Sequence, residues 1–289
     1  MAASHVPNAG SGESSIELEI MHTGNAKYMS NAMGLEALDQ IASHRLFHRE
    51  PRARYELNVK HAILQFAQLE NRKPGRTAMH EEIVFYTNPA SRGRTVRWML
   101  EEVNQPYRTE LLDYDTTMKA AAYLAINPMG KVPAIRHRDV VVTESAAICA
   151  YLADAFPESE LAPAPGDPLR GIYYRWLFFG AGPLEAAVTN KALGFVTPPR
   201  GERMAGWGTF TLVMDTMETV LAHNDYLVGN RFTAADLYVG SQIGTDMMFD
   251  LIEKRPAFER YWQRLSARAA AVRARDIDDS LITGHNKPA

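Results

Sequence analysis

Three short stretches of this chain hold residue types able to do chemistry: Tyr86-Thr87-Asn88-Pro89-Ala90-Ser91, Lys131-Val132-Pro133 and Glu144-Ser145. Val132-Pro133 closes a turn and opens an apolar strand, where Pro133 removes one backbone donor and stiffens the chain. If that bond is cis, which a sequence does not reveal, the Val132 backbone is exposed to pair with an extended ligand. One hairpin later, Glu144-Ser145 opens a helix. Its first-turn amides and the Ser145 hydroxyl suit a carboxylate, and the Glu144 carboxylate suits an ammonium. The two pairs read as an anchor for a zwitterion or, more plainly, as a hairpin followed by a polar helix cap.

The elements needed to hold these stretches together are legible. Ile83 to Tyr86 is a short strand, and a helix from about Ser91 to Val103 puts Val96, Met99, Leu100 and Val103 on one face. Tyr107 to Leu112 reads as a second strand and Thr117 to Ala125 as a helix; the hairpin 132–143 and a helix over 144–156 complete the series. A βαβ crossover followed by an antiparallel hairpin makes a small mixed sheet with helices on its faces, the order of a thioredoxin-like domain. Four prolines between Pro157 and Pro168 mark a boundary. Beyond it, helices are expected over 169–192, 204–222, 234–249 and 257–273, forming an α-bundle. Thr233 as N-cap, Asp236 at N3 and the Phe232/Leu237 staple nucleate one of them.

The Val-Pro and Glu-Ser pairs resemble the peptide-binding strand and γ-glutamyl clamp of the glutathione S-transferase family, of bacterial serine/theta-like or beta-like type. The Thr233/Asp236 motif also recurs in that family's helical domain. The resemblance runs from about Ile83 to Ile282 and implies an N-terminal thioredoxin-like domain (79–156), a linker (157–166) and an all-α C-terminal domain (167–289). It implies an enzyme that activates the glutathione thiol for attack on a small apolar electrophile, with glutathione as co-substrate, no metal, and a homodimeric, cytoplasmic, detoxifying protein. Val132, Pro133, Glu144 and Ser145 would hold the tripeptide, with Lys131 near its glycine carboxylate. Dehalogenation, isomerisation and peroxide reduction would use the same thiol.

The turn after the first strand must then supply the activation. A free thiol, with pKa near 8.5, is mostly protonated at neutral pH. Lowering that pKa by two units takes about 2.7 kcal/mol. A hydroxyl hydrogen bond to an anion supplies about 1.5–3 kcal/mol, and a helix N-terminus about 0.3–1 kcal/mol more. Ser91, five residues after Tyr86 as in theta-like transferases, is the candidate hydroxyl. Its bland alternative is a helix cap, a job that Asn88-Pro89 is also placed to do. Tyr86 and Thr87 are the rival activators, with Tyr86 better suited to packing. Beta-like transferases carry cysteine here, and its absence argues against thiol-disulfide exchange through the protein. Arg94 and Arg97 read as surface or ion-pairing groups. Tyr173, Trp176 and Phe179 read first as core and second as the wall of an electrophile cleft between the domains. A non-catalytic transferase-like binding or regulatory module is the competing reading.

Composition narrows the field. A net charge of -3 over 289 residues argues against a general nucleic-acid binder. Arg264, Arg268, Arg273 and Arg275 read as a solvated face of a C-terminal helix. The single cysteine, Cys149, excludes an internal disulfide and reads as a small buried hydrophobe. No apolar run is long enough to span a bilayer, and the N-terminus lacks the features of a secretory signal. Residues 1–78 read as an extension with a disordered Gly/Ser-rich run, two helical patterns (33–42 and 57–69) and scattered histidines (His44, His48, His61) in no metal-binding pattern. Met79 reads as the natural start, with residues 1–78 an upstream in-frame extension; a genuine accessory arm is the alternative.

Overall fold

The computed structural model describes residues 82–285. The expected extension, its two helices, its histidines and the Met79 start lie outside these residues. Four strands form one sheet: β1 (Ile83–Thr87), β2 (Tyr107–Leu111), β3 (Ala134–His137) and β4 (Val140–Thr143), in the order β2-β1-β3-β4. The β1–β2 pair is parallel, β1–β3 and β3–β4 antiparallel. Every residue of β1 is buried, as expected of a central strand covered on both faces.

Helix α1 (Gly93–Val103) crosses from β1 to β2 and buries the expected face, Val96, Met99, Leu100 and Val103. It ends at Asn104, a left-handed cap (φ 52°) whose N–H donates to the Leu100 carbonyl. The helix expected over Thr117–Ala125 is broken: a 3-10 turn (Thr117–Lys119) and the one-turn α2 (Ala121–Leu124) meet at Ala120, whose ψ of 148° is extended. Helix α3 (Ser145–Ala155) closes the domain, with Ile148, Cys149 and Leu152 buried.

After the proline-rich segment come α4 (Leu169–Phe179), a π-helical turn (Gly180–Leu184) and α5 (Glu185–Ala192). Pro183 lies inside the π turn, so the single helix expected over 169–192 bends there. The helix expected from Met204 starts only at Phe210: α6 is Phe210–Leu221. Gly208 (φ 63°) breaks the helical path, and Thr209 caps by accepting from the Leu212 N–H at 3.1 Å. Helix α7 (Ala234–Met248) follows expectation. The C-terminal helix is two, α8 (Pro256–Ser266) and α9 (Ala269–His285).

The capping motif of α7 is a buried hub. The Asp236 carboxylate accepts from the Thr233 N–H (2.9 Å) and hydroxyl (3.0 Å), the Leu227 N–H (2.7 Å) and the Tyr261 hydroxyl (3.0 Å). The main core runs continuously from Phe85 and Leu100 through Trp176 to Val239 and Phe258, so the sheet and the helices share one apolar interior. Tyr173 and Trp176 belong to that core, in line with the first reading of these aromatics.

The C-terminal arginines are ion-pairing, not merely solvated. Arg268 grips Glu102 with two nitrogens (2.6 and 2.8 Å) and Arg273 pairs with Glu101 (3.0 Å), tying the start of α9 to α1. Arg97 is 1% exposed and pairs with Asp278 at 2.7 Å. Cys149 is fully buried, which pushes its thiol pKa well up and leaves it a packing residue. No helix among the described residues is long and apolar enough to cross a membrane.

Candidate functional site

Strand register gathers the three chemical stretches at one end of the sheet. Tyr86 lies opposite Ala134, and Ala134 opposite Thr143. The segment leaving β1 (Asn88 to Ser91), the one entering β3 (Val132-Pro133) and the one leaving β4 (Glu144-Ser145) therefore emerge side by side. Two strand spacings separate the outer pair, roughly 10 Å, a span suited to a small extended ligand. The N-termini of α1 and α3 both open at this end, with their partial positive charge.

The Val132-Pro133 bond is cis. The preceding carbonyl, that of Lys131, is held by the Tyr123 hydroxyl (2.6 Å) and the Asn127 amide (2.8 Å), and Lys119 Nζ donates to the Gly130 carbonyl (2.6 Å). These clamps fix the approach to Val132, whose own N–H and carbonyl have no backbone partner among the described residues. They are free to pair with an added strand. The Lys131 side chain is exposed.

Glu144 adopts φ 66°, ψ 119°, a conformation that L residues avoid, while its carbonyl accepts from the Ile148 N–H (2.9 Å) and starts α3. Such backbone costs on the order of 1–3 kcal/mol and is retained where a site requires it. The Glu144 side chain is exposed, and no side chain caps α3, so its first amides stay available beside the half-buried Ser145.

Ser91 is the least free of the expected residues. Its hydroxyl donates to the Asn88 carbonyl (2.6 Å) and accepts from the Gly93 N–H (2.9 Å). Asn88 does not cap α1. Its Oδ1 accepts from the Ala90 N–H (3.0 Å) and its Nδ2 donates to the Leu112 carbonyl (2.9 Å), stitching the ends of β1 and β2. Ser91 thus meets the Gly93 N–H at the start of α1, and its one hydroxyl proton is already placed. The rivals are less accessible. Thr87 is fully buried against Gly93, and the Tyr86 ring packs on Tyr123 beneath Arg136. A Cβ at Gly93 would lie 1.9 Å from Thr87 Oγ1 and 3.0 Å from Ser91 Oγ. Gly93→Ala is expected to destabilise the protein by about 1–3 kcal/mol through this overlap; a Tm equal to wild type in calorimetry would contradict the packing described.

Comparison with known proteins decides the family. The glutathione S-transferase N-terminal domain matches residues 91–155 and the C-terminal domain residues 203–269. Glutathione S-transferase F10 of Arabidopsis thaliana is 31% identical over 164 residues, which cover 51% of this chain and 74% of the relative. The chain belongs to the glutathione S-transferase family. Glutathione S-transferase 1 of Schizosaccharomyces pombe is 30% identical over 155 residues; the match covers 48% of this chain and 64% of that relative's length. A sphingomonad glutathione S-transferase solved with glutathione superposes with TM-score 0.57 at 25% identity, covering 68% of this chain and 98% of that one.

This transferase carries a second group of polar residues that the sequence reading missed. Arg92, next to Ser91, pairs with Glu185 at 2.6 Å, and the other Glu185 oxygen accepts from Gln242 Nε2 at 3.1 Å. Glu185 directly follows the π turn, and Gln242 lies on α7 between Tyr238 and Asp246. The spacing of the three at successive fourth positions was a signal available in the sequence. Apolar surface is found elsewhere: Phe195, Val196, Pro198, Met204 and Trp207 line a hollow of about 420 Å³ in the loop between α5 and α6. Among the described residues, no group of three or more His, Cys, Asp or Glu side chains is placed to hold a metal ion.

Proposed function

We propose that this transferase binds glutathione along the sheet end and activates its thiol as thiolate for attack on a small, largely apolar electrophile. The observation that carries this reading is the unpaired backbone of Val132, lying between the β1 turn and the strained Glu144-Ser145 helix start. An extended tripeptide pairs with Val132 beside cis-Pro133. Its γ-glutamyl carboxylate meets the α3 amides and Ser145, its ammonium meets Glu144, and Lys131 serves the glycine carboxylate. Ser91 turns its hydroxyl proton from the Asn88 carbonyl to the sulfur. The Gly93 N–H bond it accepts strengthens it as a donor. The thiol proton leaves to solvent and a C–S bond forms. The electrophile's leaving group departs with its bonding pair or, with a conjugated carbonyl, the π pair moves to oxygen and water protonates it. No general base is required.

We further infer a homodimeric protein with a detoxifying role in the cytoplasm. Val140 and Val141 are exposed on the edge strand β4, an apolar edge of the kind that a second copy covers.

One observation favours a second reading. The 2.6 Å bond from Ser91 to Asn88 leaves the hydroxyl satisfied without any thiolate, as in a module that binds glutathione but does not activate it. Titration with glutathione, ultraviolet absorbance of the bound thiolate against pH and a dinitrohalobenzene conjugation assay separate the two. The enzyme reading expects a bound-thiol pKa about two units below the free value. Ser91→Ala should restore at least half of that difference and lower kcat about tenfold. Binding without turnover, or turnover indifferent to Ser91→Ala, would overturn the mechanism.

A further inference from the structure

Three side-chain donors converge on the two carbonyls that precede Val132: Lys119 Nζ on that of Gly130, and the Tyr123 hydroxyl and Asn127 Nδ2 on that of Lys131. Tyr123 and Asn127 also hold each other. The Tyr123 backbone carbonyl accepts from the Asn127 N–H at 2.9 Å, so side chains and backbone close a loop around the Lys131 oxygen. The turn that follows is braced as well. The Met129 N–H donates to Asn127 Oδ1 at 3.1 Å, and the Gly130 N–H to the Asn127 carbonyl at 2.8 Å. Both residues are buried, Tyr123 at 3% and Asn127 at 4% exposure, and the Tyr123 ring is fixed against that of Tyr86, 5.8 Å between centroids.

A carbonyl oxygen has two lone pairs, and two donors occupy those of Lys131. That oxygen is left with nothing to offer a ligand. Its bonds act instead across the peptide plane. The cis bond lies one residue later, and in the trans Lys131–Val132 peptide the carbonyl and the N–H point in opposite directions. Pinning the oxygen toward Tyr123 and Asn127 therefore turns the Val132 N–H away from them, to where no backbone acceptor meets it. Burial raises the Tyr123 hydroxyl to about 12, so it keeps its proton and remains a donor at neutral pH.

We propose that Tyr123 and Asn127 are positioning residues: through the Lys131 oxygen they aim the Val132 N–H at the carbonyl of the residue laid beside it, the cysteine of glutathione. This rests on the glutathione reading above and deepens it. Neither side chain has the exposed surface to touch the ligand, and their work is to keep one peptide plane from rotating. A plane free to turn would have to be ordered on each binding event, and that cost falls on affinity. The chemical step is spared, because Ser91 stands on the turn after β1 and shares no hydrogen bond with this one. The site thereby selects for a backbone acceptor at the centre of the ligand.

The test is calorimetric titration of the full chain with three thiols: glutathione; γ-glutamylcysteinamide, which keeps the cysteine carbonyl but lacks glycine; and γ-glutamylcysteamine, which lacks both. Tyr123→Phe keeps the ring against Tyr86 and removes one donor. Asn127→Asp keeps the acceptor for the Met129 N–H and removes the other. Each should weaken glutathione and the cysteinamide about fivefold, the worth of one modest net hydrogen bond, and leave the cysteamine within about twofold of wild type. In the dinitrohalobenzene assay KM for glutathione should rise about fivefold, with kcat and the bound-thiol pKa unchanged. An equal loss for all three ligands, or no loss for any, would overturn the positioning role and leave the glutathione reading intact. A fall in kcat at unchanged KM would do the same. Should circular dichroism show Asn127→Asp unfolded, Tyr123→Phe decides alone. Wild type that binds none of the three would overturn both readings.

Discussion

Asp236→Ala is expected to be among the most damaging single substitutions in the helical domain, costing about 3–5 kcal/mol. The carboxylate is wholly buried and receives four donors from three places: the cap of α7, the Leu227 backbone and Tyr261 of α8. Alanine leaves those donors without an acceptor and opens a void among packed groups. Unfolding in denaturant, followed by circular dichroism, measures the loss; a cost below about 1 kcal/mol would mean that the hub is replaceable. The pH dependence has a defined sign. Burial raises the folded carboxyl from its ordinary 3.8 to about 6, with the four donors opposing. The folded chain then holds its proton more tightly than the unfolded chain. The resulting stability is fully present below about 3.8 and is lost as pH rises through about 6. The deficit of Asp236→Ala relative to wild type should therefore widen on acidification across that window.

Arg97→Leu is the second large effect. The guanidinium lies over the Phe85 ring (5.1 Å to its centroid), donates to the Tyr107 and Thr109 hydroxyl oxygens (3.2 Å each) and pairs with Asp278 (2.7 Å). It joins β1, β2 and the terminal helix α9 at one point. Removing it leaves the Asp278 carboxylate buried without its counter-ion, at a cost of about 3–5 kcal/mol. Burial already raises the Asp278 pKa, and Arg97 opposes that rise, so the lone carboxyl should take up a proton more readily. The double variant Arg97→Leu/Asp278→Leu should recover much of the loss, since exchanging a buried pair for apolar groups is often nearly neutral. Two additive single losses in a double-mutant cycle would show that the pair is not coupled.

Much of this protein was legible in one dimension. The apolar run of Ile83 to Tyr86, the spacing of Val96, Met99, Leu100 and Val103, and the Thr233/Asp236 box are local signals, and β1, α1 and α7 formed where they pointed. The misreadings were local competitions as well. Gly208 delayed α6, Ala120 divided one helix, and Pro183 bent another without ending it. The nearness of Val132-Pro133 to Glu144-Ser145 was readable because a hairpin joins them, and its register follows from a short turn.

By itself, the sequence determined the order of elements, the family and the three stretches proposed to hold glutathione. Tertiary structure alone decided what those residues are free to do. Ser91 turned out to hold Asn88 and Gly93, and Arg97 to meet a partner 181 positions away. Glu185, paired with Arg92 and with Gln242, joins three elements far apart in the chain. Periodicity and turn chemistry report contacts within a few residues. A hydrogen bond across the core depends on how whole elements pack, and no local pattern records it.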